Sequence, residues 1–405
     1  MIGDFGVDNA ARFGNIRPKP KLWTPKCIKT YGSALRRAVR DIANLTNMIK
    51  LATPGVQGLR PYQPGKPIEE LERNYGIKNA IKLASNENPL GPSPRVLEAV
   101  QASLKDIARY PDGFALKKAL AQRHHVDMGM ITLGNGSNDV LELIARTFVT
   151  QAQSVIFSEH AFVVYPMVTQ AIGARAIVAS AKNWGHDLGA MQAAICDDTR
   201  LIFIANPNNP TGTWVDKGSL KAFLEAVPES VLVVVDEAYF EYAIDNPNYP
   251  NSLEWLSEHP NLVVTRTFSK AYGLAGLRVG YSISHPDVAD LVNRVRQPFN
   301  VNSIALVAAT AALDDGEHLK KSITSNRAGM RQMGQAFDKI GLSYIPSLGN
   351  FLAVDVGDGA KIYELLLRQG VITRPIGAGM SQYLRVSIGL PSENERFIQA
   401  LRKVF

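Results

Sequence analysis

Apolar positions along the chain fall into two patterns. Short, nearly unbroken apolar runs occur at Leu201–Ala205 (LIFIA), Val231–Val235 (VLVVV) and Asn261–Thr265 (NLVVT), each followed by polar residues or turn formers. Strands buried on both faces read this way, so these runs predict a mostly parallel sheet covered by helices. Helical spacing occurs before them: Leu141, Ile144, Ala145 and Phe148 recur at i, i+3, i+4 and i+7. Residues 300–405 read differently. Helical stretches at Ser303–Ala312 and His318–Ile340 precede short strands at Leu342–Ile345, Leu352–Val356 and Tyr383–Ile388, and a closing helix covers Glu393–Val404. Gly55–Pro67 is rich in Pro and Gly and predicts an extended arm, followed by a helix at Ile68–Tyr75. The fold class expected is α/β: a large domain with a mostly parallel sheet covered by helices, plus a smaller α+β domain. The expected divisions are an extension over 1–47, an arm and the start of the small domain over 48–82, the large domain over 83–298 and the small C-terminal domain over 299–405.

Charge adds one point. The chain of 405 residues carries a formal charge of +7, which invites a nucleic-acid partner. Yet residues 1–47 hold nine Lys/Arg against three acids, so +6 of that excess lies in the extension and the body is nearly neutral. A DNA- or RNA-binding body is thereby disfavoured. The extension predicts little order beyond a short helix over 34–45. Its Asp4 and Asp8 argue against a transit peptide. It reads either as a solvated basic tail or as residues preceding a natural start at Met48. No run of eighteen apolar residues predicts a membrane span. Cys27 and Cys196 give neither a disulfide framework nor a metal spacing and fit a reducing cytoplasm. The histidines form no ligand pattern, so no metal site is expected.

Candidate chemistry follows the three apolar runs, at Asn206–Gly212, Asp236–Tyr239 and Thr267–Lys270. In an open α/β sheet the carboxyl ends of strands are where ligands bind. Thr267 and Ser269 alternate with Phe268, so both hydroxyls can face one anion while Lys270 turns into the site. Arg278, flanked by Gly276 and Gly280, adds a fixed cation. A second anion site is the turn Gly134–Asp139 (GNGSND), which opens a helix. A plain N-cap by Ser137 or Asn138 is the other reading of that turn. Asp236 at a strand end needs a partner, and a salt bridge, a helix N-cap or a protonated ring nitrogen would each serve. Asn209 and Tyr239 can both donate to an oxygen anion. Together these groups match the needs of pyridoxal phosphate: a lysine for its aldehyde, a carboxylate for its pyridinium nitrogen, donors for its phenolate and a phosphate cradle.

NPNNPTG (206–212), DEAY (236–239) and SKAYGLAGLR (269–278) stand in the order and spacing of the fold-type-I aminotransferases, which residues 55–405 resemble. RPYQPGKPIEE (60–70), LASNENPLGPSP (83–94), RYPD (109–112), GNGSND (134–139), DEAYFEY (236–242) and YLRVSIG (383–389) make the chain most similar to the histidinol-phosphate aminotransferases. The resemblance implies a pyridoxal-phosphate transaminase with residues 83–298 as its cofactor-binding domain and Lys270, Asp236 and Tyr239 as its catalytic group. Lys270 would bond the cofactor aldehyde, Asp236 would meet the pyridine N–H, and Asn209 and Tyr239 would meet the ring oxygen. Ser137, Asn138, Thr267, Ser269 and Arg278 would hold the phosphate, with Phe162 stacked on the ring. Arg385, with Arg374, Asn350 and Asn209, would bind substrate. A homodimer is implied, with Tyr110 and Tyr62 reaching the other subunit's site. The implied substrates are histidinol phosphate and 2-oxoglutarate or glutamate, in cytoplasmic histidine biosynthesis. An aromatic amino-acid aminotransferase and a phospho-amino-acid decarboxylase of the same fold are the alternative readings.

Overall fold

The computed structural model describes residues 48–62, 65–377 and 379–405; the helix expected over 34–45 lies outside them. Met1–Gln57 and Gly58–Phe405 are separate compact units. The described part of the first includes the helix Pro54–Gln57, one turn within a stretch expected to be extended. Proline at its first position supplies a helical φ in advance. In the second unit, residues 58–62 and 65–67 form neither helix nor strand before the helix Ile68–Tyr75.

A seven-stranded sheet dominates the second unit. Its strands are β1 (Ile131–Gly134), β2 (Ser154–Ser158), β3 (Arg175–Ala179), β4 (Thr199–Ala205), β5 (Leu232–Asp236), β6 (Leu262–Thr267) and β7 (Gly280–Ser284). They lie in the order β1-β7-β6-β5-β4-β2-β3. Only β7 runs antiparallel, to both β1 and β6. The chain is thus an α/β protein with a mostly parallel central sheet flanked by helices. The apolar runs behave as their pattern requires. Ile202, Ile204, Val233, Val235 and Val264 point into one core, while Leu201, Phe203, Leu232, Val234 and Val263 point into another on the opposite face. Helix α1 (Ser137–Phe148) covers the second core with Leu141, Ile144 and Ala145, the residues its spacing selected.

A four-stranded antiparallel sheet follows: β8 (Tyr344–Ile345), β9 (Phe351–Asp355), β10 (Arg374–Pro375) and β11 (Tyr383–Ser387), in the order β8-β9-β11-β10. The helices Gly316–Ile340 and Pro391–Val404 pack their apolar faces on it around Phe337, Phe397 and Leu401. β8 is shorter than the run from Leu342 suggests. Gly341 ends the preceding helix in the left-handed region at φ 80°, and Leu342 N donates back to Phe337 O at 3.0 Å, which ties residue 342 to the helix end.

The turn after β6 is held by a close backbone approach. Gly273 has φ 72°, its N donates to Lys270 O at 2.9 Å, and a Cβ there would sit 2.3 Å from Gly91 O. Gly273→Ala is therefore expected to destabilise the protein by roughly 2 kcal/mol or more. Gly276→Ala, where a Cβ meets nothing within 4 Å, should cost far less. Chemical denaturation of both variants checks this; equal midpoints would refute the constraint.

Candidate active site

The carboxyl ends of β4, β5 and β6 open into a cavity of about 930 Å³ that also receives the start of α1, residues 58–62 with Gly65, and residues of β10 and β11. Sheet register sets its floor. Asp236 is the last residue of β5 and pairs with Ala205 on one side and Thr265 on the other. Its Oδ1 accepts from Thr265 Oγ1 at 3.0 Å and its Oδ2 from Tyr165 Oη at 2.9 Å. Tyr239, 2 % exposed, accepts from Asn86 Nδ2 at 2.9 Å. Lys270 Nζ lies 5.7 Å from the centroid of the Tyr239 ring and donates to Ser85 O at 3.1 Å.

One wall is a nest of N–H and O–H groups. Helix α1 starts at Ser137 after Gly136, and no side chain caps it, so the N-cap reading of Ser137 and Asn138 does not apply. Both line the cavity with the uncapped helix start beside them. Arg278, itself left-handed at φ 55°, donates from Nη1 to Ser269 Oγ and to Ala275 O, each at 3.1 Å. Ser269 N donates to Thr267 Oγ1 at 3.2 Å. Glycine makes this assembly possible at two points: a Cβ on Gly136 would meet Arg278 Nη2 at 2.3 Å, and one on Gly280 would meet Ser137 N at 2.4 Å. Part of the lining is a cationic wall. Arg385 donates from Nη1 to Asn209 Oδ1 at 2.6 Å and from Nη2 to Ala84 O at 2.7 Å, while its buried Nε has no partner among the described residues. Arg374 lies 5.5 Å from the ring centroid of Tyr62, which lines the cavity of its own chain where the resemblance implied the other subunit's. Phe162 completes the lining from the turn before helix α2 (Val164–Ile172).

The residues singled out in the sequence all line this cavity except two. Tyr110 is 81 % exposed and stacks on Phe299 with ring centroids 4.4 Å apart. Asn350 is buried behind the wall, where its Nδ2 donates to Asn86 O at 3.0 Å. Sequence reasoning passed over Tyr165, Asn86, Ser85 and His160. A tyrosine inside a helix reads as core. Asn86 and Ser85 sit in the LASNENP string without any periodic signal. His160, 6 % exposed, lines the cavity with its ring 5.4 Å from that of Trp184.

Residues 78–401 match the family described as aminotransferase class I and II. The chain belongs to that family. The aminotransferase is 58% identical to histidinol-phosphate aminotransferase 1 of Nitrosococcus oceani over 88% of this chain and 97% of the relative. It is equally identical to histidinol-phosphate aminotransferase 2 of Pseudomonas aeruginosa over 89% of this chain and 99% of the relative. The histidinol-phosphate aminotransferase of Sinorhizobium meliloti, solved in complex with pyridoxal-5'-phosphate, superposes with a TM-score of 0.80 at 33% identity, covering 87% of this chain and 96% of the other. The aspartate aminotransferase of Thermus thermophilus with maleate shares the fold alone, at a TM-score of 0.75 and 19% identity over 87% and 99% of the two chains.

Burial governs protonation in the aminotransferase cavity. It lowers the Lys270 amine to about 7, helped by the Arg385 charge. It raises the Asp236 carboxyl to about 6, against the pull of the Tyr165 and Thr265 hydroxyls. It also raises the Tyr239 phenol. The Asp236 value in the folded, ligand-free protein thus lies above the 3.8 of an ordinary aspartate. Stability is accordingly lost as pH rises from about 4 through about 6, and the full cost is present at neutral pH. Relative to the parent, ligand-free Asp236→Asn should gain about 3 kcal/mol of stability between about pH 4 and pH 7. Denaturation series across this range measure it; a pH-independent difference would contradict the assignment.

Proposed function

We propose that this aminotransferase moves the amino group of histidinol phosphate to 2-oxoglutarate with pyridoxal phosphate as cofactor. The observation that carries the reading is the pairing of Lys270 with Asp236 in one cavity, in a chain 58% identical over nearly its whole aligned length to proteins of that name. The residues fit the cofactor. An uncapped helix start, two hydroxyls and the Arg278 guanidinium converge where Gly136 and Gly280 leave room for them, which suits a phosphate. A buried carboxylate lining the same cavity suits a protonated ring nitrogen.

Bound there, pyridoxal phosphate supplies an aldehyde that condenses with amines and a ring that accepts the electron pair left on the substrate α-carbon. Lys270 would be the amine that holds the cofactor and, when its amine is free, the base that takes the substrate α-carbon proton. Its lowered basicity leaves much of it neutral near pH 7. Asp236 holds the proton on the ring nitrogen. Asn209 and Tyr239 donate to the ring oxygen, and Phe162 covers the ring face. Ser137, Asn138, Thr267, Ser269 and Arg278 grip the phosphate. Arg385 and Arg374 receive the substrate's anionic end beside Tyr62. Their planar forks accept a phosphate or a carboxylate in alternate half-reactions. Asn350 acts behind them by fixing the 86–87 backbone.

A second copy of the chain completes the site. Leu104, Ile107, Tyr110, Phe114 and Phe299 are each more than half exposed. Contiguous apolar exposure of this kind favours a partner. Tyr110, exposed there and outside the cavity of its own chain, would then reach the partner's phosphate. A cytoplasmic location fits a chain with two cysteines and, among its described residues, no helix long and apolar enough to cross a membrane.

Coupled assays of histidinol phosphate, phenylalanine and tyrosine, each with 2-oxoglutarate, test the substrate; preference for phenylalanine or tyrosine would replace it. Lys270→Ala should bind the cofactor yet lose turnover entirely, and full activity would end the mechanism. Arg385→Ala should raise KM for both substrates, while an effect on one alone would reject the shared anion site. The rate at which cofactor-free protein captures pyridoxal phosphate should climb as pH passes about 7 and then level off, since only the neutral amine reacts. A rate still rising steeply at pH 10 would mark Lys270 as an ordinary lysine.

A further inference from the structure

Each oxygen of the buried Asp236 carboxylate takes one hydroxyl, and the two hydroxyls have different origins. Thr265 is its neighbour in the sheet, placed by register alone. Tyr165 comes from α2, in the helical layer, and is fully buried. Its ring lies parallel to Phe203 of β4 at 4.5 Å with 4° between the planes, and Phe162 meets it edge-on at 5.9 Å. Those contacts fix the ring plane, and with it the line along which the hydroxyl points. A buried phenol needs an acceptor, so the plain structural reading is that Asp236 merely satisfies Tyr165. A backbone carbonyl would do that at far lower cost than a carboxylate, whose burial is unfavourable unless it is well partnered. The carboxylate also lines the cavity, so its charge and direction bear on whatever binds there. One turn of chain, closed by Tyr165 N donating to Phe162 O at 3.1 Å, therefore carries both a ring for the cavity wall and a donor for its acid.

We propose that Tyr165 is a positioning residue for the cofactor: its phenol holds the Asp236 carboxylate as an anion aimed at the ring nitrogen, so that this nitrogen keeps its proton. The inference rests on the pyridoxal-phosphate reading. Tyr165 touches no reacting atom and acts through Asp236. Beside its hydroxyl, that of Thr265 and the backbone N–H of Ala238, the carboxylate keeps a lone pair for a donor in the cavity.

The test is made on holoprotein reconstituted with pyridoxal phosphate labelled with nitrogen-15 in the ring. The ring-nitrogen chemical shift and the cofactor dissociation constant are read for the parent, Tyr165→Phe, Asp236→Ala and the double variant. Tyr165→Phe should move the shift toward the unprotonated ring and weaken cofactor binding on the order of tenfold, as loss of a hydrogen bond to a charged group does. In the Asp236→Ala background, adding Tyr165→Phe should change neither quantity. An unmoved shift in Tyr165→Phe, whatever its melting temperature, overturns the proposal, as does an equal effect with and without Asp236. If the phenylalanine variant does not fold, 3-fluorotyrosine at 165 keeps the hydroxyl and makes it a stronger donor. Binding should then tighten, and unchanged binding overturns the proposal. Borohydride reduction of the parent holoprotein separates the two levels: cofactor not fixed to Lys270 sinks the functional reading itself, whereas cofactor fixed there with no Tyr165 effect sinks only this inference.

Discussion

Taking an ionised carboxylate out of water costs several kcal/mol unless hydrogen bonds and a cation offset it. Asp236, at the end of the central strand of the sheet, meets only half of that condition. It is 4 % exposed, and its two hydroxyl donors are neutral, so they soften the cost without cancelling it. Its neighbour Glu237 shows the alternative outcome. That carboxylate is fully buried but is paired with Arg266 at 2.7 Å, and the ion pair closes on itself. Consecutive acids at one strand end thus point to opposite faces: one is neutralised within the fold, the other faces a cavity where a cationic group would complete it. On the proposed reading the asymmetry makes Asp236 the anchor of the ligand site and Glu237 part of the scaffold.

The surrounding parts depend on where that strand ends. Parallel strands β4, β5 and β6 deliver their carboxyl ends to one edge, so NPNNPTG, DEAY and TFSK meet although they are far apart in sequence. The antiparallel strand β7 adds what parallel neighbours cannot. Gly280 pairs at once with Gly134 and Thr267 and so draws the start of α1 against the TFSK turn. Side chains are absent at Gly136 and Gly280 because Arg278 and the α1 amides occupy that volume. Backbone approach, not side-chain bulk, shapes this wall.

Legibility in the sequence followed how local each signal was. The buried strands announced themselves as apolar runs, and their bounds moved by at most two residues at either end. Val231–Val235 shifted by one because register with β4 and β6, invisible in a single run, extends β5 to Asp236. Two-residue strands such as Tyr344–Ile345 and Arg374–Pro375 carry no periodicity and exist only because β9 and β11 offer partners. In the cavity, residues within dense polar strings were found. Tyr165 and Ser85 were not, because one looks like core and the other acts through a main-chain oxygen that any residue type possesses. Asn350 was named for its place beside the arginines, but its side chain turns to the Asn86 backbone, a contact between residues 264 positions apart.

On the proposed reading, the cationic wall lets one site alternate between two anions. Arg385 spends both terminal nitrogens on neutral acceptors, Asn209 Oδ1 and Ala84 O, and its buried Nε has no partner among the described residues. Burial already disfavours its charge, and the nearby Arg374 disfavours it further. An arriving anion relieves both penalties, whatever its outline, because charge-assisted bonds replace neutral ones and a negative charge offsets the repulsion between the two guanidiniums. Attraction of this kind distinguishes anion from neutral ligand strongly, and phosphate from carboxylate weakly. On the proposed reading that indifference is what a two-substrate exchange requires. Discrimination among amino donors must then fall to the neutral lining between the arginines and Lys270, where Tyr62, His160 and Phe162 stand.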